Sequence, residues 1–157
     1  MGYLLLVFLA FQLTSCDNDT SIFVDKNLQN CVDEISEKSY ENIKKLLYWN
    51  KNINSLEGIE NLTYLEELSM PFNEVGDLSP LTNINTLQNI DLSDNLITDI
   101  ETLKHLAELT TLILRNNNIV EIDSLDKLKK IIIINLDHNK ISDVSSVSNM
   151  EELKTLS

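Results

Sequence analysis

Aliphatic residues return along this chain at offsets that repeat every 22 residues, without insertion or deletion, from Ile59 to Ser146. The units are Ile59–Pro80, Leu81–Thr102, Leu103–Ser124 and Leu125–Ser146, and a fifth runs from Val147 to Ser157. The first three apolar columns of a unit lie three residues apart, as in Leu103, Leu106 and Leu109. That spacing suits a 3₁₀ or helical turn. The next two columns, as in Leu112 and Leu114, lie two residues apart and share one face of a short strand. Two later columns complete the interior: Val75, Ile97, Ile119, Ile141, and Leu78, Ile100, Ile122, Val144. So short a unit buries its apolar side only against its neighbours, so the pattern predicts stacked coils with a continuous parallel sheet. Removing an interior side chain, as in Leu114→Ala, is expected to cost about 2–5 kcal/mol.

A polar column interrupts the apolar rows: Asn73, Asn95, Asn117 and Asn139. An amide offers two donors and an acceptor. Just after the strand, where the chain bends, it is expected to bond the backbone of its own coil and of the next. The pattern Leu109-Thr-Thr-Leu112-Ile-Leu114-Arg-Asn-Asn117-Asn-Ile119 resembles the leucine-rich repeat family. The run Val75-Gly-Asp-Leu-Ser-Pro-Leu81 is similar to the internalin-type subclass of bacterial surface proteins. That resemblance covers roughly residues 46–157. It implies an α/β solenoid wound as a right-handed coil, with the sheet on the concave face, 3₁₀ or helical turns on the convex face, and an N-terminal helical cap. The fold hosts many binding tasks, so it does not name a partner.

Before the repeats, Leu28, Val32 and Ile35 recur at helical spacing beside Cys31, and Ser39 can cap a second turn. Residues 28–45 are therefore expected to form the cap. A degenerate first coil follows, with Leu46 and Tyr48 in the strand columns and Lys51 in place of the ladder Asn, so its turn should rely on Asn50 or Asn52. At the start of the chain, the apolar run through Leu13 is shorter than the roughly 20 residues that span a bilayer. It suits a secretion signal, residues 1–15, followed by a tether, residues 16–27. Leu13-Thr14-Ser15-Cys16 resembles the lipobox of bacterial lipoproteins, which implies cleavage before Cys16 and lipid on its sulfur. A lipid-bearing Cys16 leaves Cys31 as a buried free thiol. The last unit ends within its strand at Leu156-Ser157. An open strand edge invites pairing, so truncation, a covering partner and self-association through this edge are all expectations.

The strand residues between core positions face the concave side. Leu47, Trp49 and Phe72 can form one apolar patch, and Ile113 and Ile133 another, with Asp91 and Ser93 between them and Arg115 and Asp137 further along. Exposed aromatics among polar groups mark protein-binding surfaces; alternatively Trp49 packs under the cap and Phe72 covers the sheet edge. With 25 acidic and 12 basic residues the formal charge is −13. Non-specific nucleic-acid binding, which needs Lys and Arg against phosphate, is disfavoured. The carboxylate column Asp77, Asp99, Glu121 and Asp143 is expected to cap turns rather than hold a cation, since a single file supplies too few oxygens. His105 and His138 fall on different sides of the coil, and no nucleophile, metal-ligand or phosphate-loop spacing occurs, so neither enzyme activity nor a cofactor is expected. The expected function is a lipid-anchored module of the bacterial cell envelope that binds a protein through its concave sheet. The alternatives are a self-associating structural component and a fragment of a longer adhesin-like protein.

Overall fold

The computed structural model describes residues 21–35, 39–148 and 150–157. One helix, α1 (Lys26–Asp33), precedes six short strands: β1 (Lys45–Leu47), β2 (Glu67–Ser69), β3 (Asn89–Asp91), β4 (Thr111–Ile113), β5 (Ile133–Asn135) and β6 (Thr155–Leu156). The strands pair in parallel in chain order, and every partner lies 22 positions further on, as in Lys45 with Glu67 and Leu112 with Ile134. The sequence period has thus become the sheet register. Between strands the chain makes 3₁₀ turns, such as Ile59–Asn61, Ser79–Leu81, Glu101–His105 and Asp123–Lys127. The turns close where the apolar columns stand three apart: Leu106 N–H donates to Leu103 O (3.0 Å), and Leu109 N–H to Leu106 O (3.0 Å). A 3₁₀ turn eclipses side chains at that spacing, so each unit sends Leu103, Leu106 and Leu109 inward together. The buried side chains of all coils form one continuous apolar core, from Phe23 to Val147.

The Asn ladder works backwards rather than forwards. Asn95 Oδ1 accepts the Val75 N–H of the preceding coil (2.9 Å), and its Nδ2 donates to Met70 O of that coil (3.0 Å) and to Leu92 O of its own (3.1 Å). Asn117 repeats this on Ile97, Leu92 and Leu114, and Asn139 on Ile119, Leu114 and Leu136. The expectation of a bond to the next coil is therefore corrected: the amide sits one residue past the left-handed bend of its own coil and reaches the backbone of the coil before it. Asn73 bridges to the degenerate first coil, accepting from Lys51 and Ile53 and donating to Tyr48 O. That coil bends through two left-handed residues, Asn50 (φ 50°) and Asn52 (φ 55°). Among the described residues, every buried side-chain nitrogen and oxygen has a partner.

At the N-terminal end, α1 lays Leu28, Cys31 and Val32 over the first coil. Its cap residue is Asp25, whose Oδ1 accepts from Asn27 and Leu28 while Oδ2 accepts from Asn54 (2.7 Å) in the first coil. Residues 21–27, expected within the tether, instead belong to the packed body: Phe23 is buried and meets Tyr40 edge-on, with ring centroids 6.1 Å apart. Gly58, at φ 103°, lets this segment approach, because a Cβ there would lie 2.2 Å from Ile22 O. Ser39 does precede a 3₁₀ turn, Tyr40–Asn42, but its side chain caps nothing. Cys31 is buried with a free thiol, and burial raises its pKa. The signal segment and Cys16 lie outside the described residues.

Candidate binding face

One side of the sheet is filled by core residues, so the alternate positions face solvent. They fall into rows across the strands. Lys45, Glu67, Asn89, Thr111 and Ile133 stand in register, as do Leu47, Ser69, Asp91, Ile113 and Asn135. Two residues further on, Trp49, Pro71, Ser93, Arg115 and Asp137 continue the face as each strand ends. The next residue of each coil, Asn50, Phe72, Asp94, Asn116 or His138, has a left-handed backbone. That conformation is common for Asn and Asp, and an outlier for a bulky residue such as Phe72 (φ 58°).

Trp49 does not pack under the cap. It is 74 % exposed, with Phe72 at 58 % and Leu47 at 55 %, and all three sit on the first two coils, as does half-buried Pro71. Asn50 N–H donates to Pro71 O (3.0 Å), which keeps the Trp49 segment beside the Phe72 segment after the strands end. Ile113 is half-buried and Ile133 exposed; they occupy adjacent strands but different rows, and lie apart from the aromatic patch. Between the two patches Asp91 Oδ1 accepts from Ser93 N–H (3.1 Å) and Ser93 Oγ (2.7 Å), so Ser93 is engaged within the chain. Arg115 forms an ion pair with Asp94 (3.7 Å), and Asp94 also accepts from Asn116 Nδ2. Asp137 is exposed. Lys45 pairs with Glu67 (2.6 Å), a hydrogen bond that raises the lysine pKa. A hollow of about 250 Å³ opens in the middle of the face, lined by Glu67, Ser69, Asn89, Asp91, Thr111 and Ile113. Alternation along the strands already places Pro71 and these lining residues on the face; the hollow itself emerges only once the register aligns the strands.

The carboxylate column behaves as turn caps at three of its four positions. Asp77, Asp99 and Asp143 accept from the N–H two residues on, at 2.7–2.8 Å. Glu121, one methylene longer, makes no such bond. Ser145 N–H holds Asp143 below the usual carboxylate range. Among the described residues no three His, Cys, Asp or Glu side chains are grouped to hold a metal, and no helix is long and apolar enough to cross a membrane.

The family of leucine-rich repeats (two copies) matches residues 107–149. An internalin (inlF) from Listeria monocytogenes has the same architecture: TM-score 0.82 and 36 % identity, over 86 % of this chain and 43 % of the internalin. The chain is a leucine-rich repeat protein, structurally similar to the Listeria internalins. Internalin C2 (inlC2) of the same organism aligns at TM-score 0.66 and 31 % identity, over 68 % of this chain and 48 % of that one. The functional domain of InlJ, also from Listeria monocytogenes, shares the fold at TM-score 0.65 and 24 % identity, covering 72 % of this chain and 24 % of its own. This leucine-rich repeat chain thus spans less than half the length of each of these internalin structures. No curated protein matches it. Leucine-rich repeat modules of the internalin type are typically protein-binding and generally non-catalytic.

Proposed function

We propose that this chain is a non-catalytic protein-binding module of the bacterial cell envelope, gripping its partner through the open, concave face of the sheet. The observation that carries the reading is the exposure of Trp49, Phe72 and Leu47, all on the first two coils. Exposed large apolar groups on adjoining coils offer a desolvation gain on contact, and Trp in particular is enriched among residues that dominate binding energy. The repeating aliphatic columns of the central coils are closed in the core, and the other exposed aliphatics there, Leu96 and Val120, are isolated in their columns. The partner is captured by the intact chain, and Trp49→Ala combined with Phe72→Ala and Ile113→Ala abolishes capture while circular dichroism and thermal unfolding stay native. Undiminished capture by that folded triple variant refutes the open-face reading.

Location follows from the N-terminal pattern: Cys16 carries the lipid anchor and the signal segment directs export. Metabolic labelling with a radioactive fatty acid is expected to mark the chain and to leave Cys16→Ser unmarked. Equal labelling of both overturns the anchor. A second reading, self-association, is favoured by the exposure of Leu156 in β6 and of Val144 just before the turn Ser145–Val147. A concentration-dependent dimer in light scattering, weakened by Leu156→Lys, supports that reading.

A further inference from the structure

We infer that the segment bound on the open face is basic, with a Lys or Arg seated on Asp91 in the central hollow and apolar side chains to either side. The inference rests on the binding role proposed above and specifies its partner. Asp91 stands in the row Leu47, Ser69, Asp91, Ile113, one strand from Ser69 and from Ile113 and two strands from Leu47. Ser69 is small and leaves room for an incoming side chain beside the carboxylate. Oδ1 of Asp91 is occupied by Ser93, whereas Oδ2 has no partner among the described residues, and Asp91 lines the hollow. Charge on this face is unbalanced. Lys45 is committed to Glu67 and Arg115 to Asp94, which leaves Asp91 and Asp137 without a cation. The whole chain, at −13, draws positive groups toward it over longer range.

Spacing agrees with the chemistry. Strands about 4.8 Å apart put Ile113 about 5 Å to one side of Asp91 and the Leu47 strand about 10 Å to the other. An extended segment crossing the strands presents alternate side chains about 7 Å apart, within reach of both patches when the cation lies between them. An acidic partner meets uncompensated carboxylates at the centre of the same surface, and a purely apolar one leaves Asp91 Oδ2 dry and unpaired, a costly arrangement.

The test pans phage-displayed random dodecapeptides against the full chain and measures enriched peptides, made synthetically, by isothermal titration calorimetry. The expected winners carry Lys or Arg with apolar residues two positions away on both sides. Asp91→Asn, which keeps the bonds from Ser93, weakens them at least tenfold, and Glu121→Gln, exposed outside this face, leaves them unchanged. Winners without a cation, winners that bind Asp91→Asn as tightly as the wild type, or no winners at all overturn the inference. If those winners still fail on the triple variant of Trp49, Phe72 and Ile113, the open-face role survives and only the basic character is lost. Binding to the triple variant at wild-type strength removes both.

Discussion

Two residues show how one coil position can serve the backbone or the surface. Asn95 closes four backbone groups drawn from two coils, three carbonyls and one N–H, in a buried site. Asn95→Ala strands those groups, at about 1–3 kcal/mol for a buried orphan, and urea unfolding should register the loss. Asn139→Ala, in a half-buried position with fewer bonds, is expected to cost less. One residue before each ladder Asn, and before Lys51 in the first coil, the backbone is left-handed, and four of the five coils fill that place with Asn, Asp or His. Phe72 is the exception, and a bulky side chain there is held against its own conformational preference. Phe72→Asn therefore raises stability by about 1 kcal/mol, the usual left-handed penalty, and weakens partner binding. A substitution that gains thermal midpoint and loses capture places Phe72 on the surface for contact. A loss of stability instead means that the ring packs productively on the coil.

Individual elements differ in how openly the sequence declares them. The strands and 3₁₀ turns of the repeats follow from spacings of two and three, because each coil must repeat the solution of the coil before it. The cap obeys no such repetition, and its decisive contacts are singular. Asp25 ties α1 to Asn54, and Gly58 admits the Ile22 backbone, yet neither stands in any column. The binding face lies between these cases: alternation places Trp49 and Phe72 on it, but only the packed cap and first coil decide that Trp49 stays in water. Gly58→Ala is expected to displace the segment from Ser21 to Val24, seen as lost hydrogen-exchange protection at the Val24 amide, which now donates to Glu57 O (3.1 Å). On the buried side of α1, burial holds the Cys31 thiol protonated to higher pH than its ordinary value of 9.0. Its folded pKa is raised, so this contribution to stability is whole below the unfolded pKa and fades as pH climbs through the folded one. Alkylation of Cys31 by iodoacetamide should be slow in the native chain at pH 8 and fast in urea. Equal rates would contradict the burial.

The molecule as a whole has no centre; each coil is stabilised by the one before and the one after, so stability is a sum of coil and interface contributions. The interior coils are saturated. Leu81, Leu87, Leu92, Leu103, Leu109 and Leu114 are fully enclosed, with one ladder Asn per bend. At the N-terminal end α1 covers the first coil. Toward β6 the same columns open: Ile141, Met150 and Leu153 are only partly buried, and Val144 and Leu156 are exposed. In this chain the last coil therefore has the smallest free-energy cost of local opening, and its opening bares the next interface. Native-state hydrogen exchange should show a gradient along the chain. Amides of β6 and of the turn Ser145–Val147 exchange first, β5 next, and β2, β3 and β4 only on global unfolding. Leu114→Ala, at about 2–5 kcal/mol, should move β4 out of the globally protected group, so that β4, β5 and β6 exchange together while β2 and β3 still wait for global unfolding. Uniform exchange of all strands in both proteins would mean one cooperative unit, and the additive picture of stacked coils would fail.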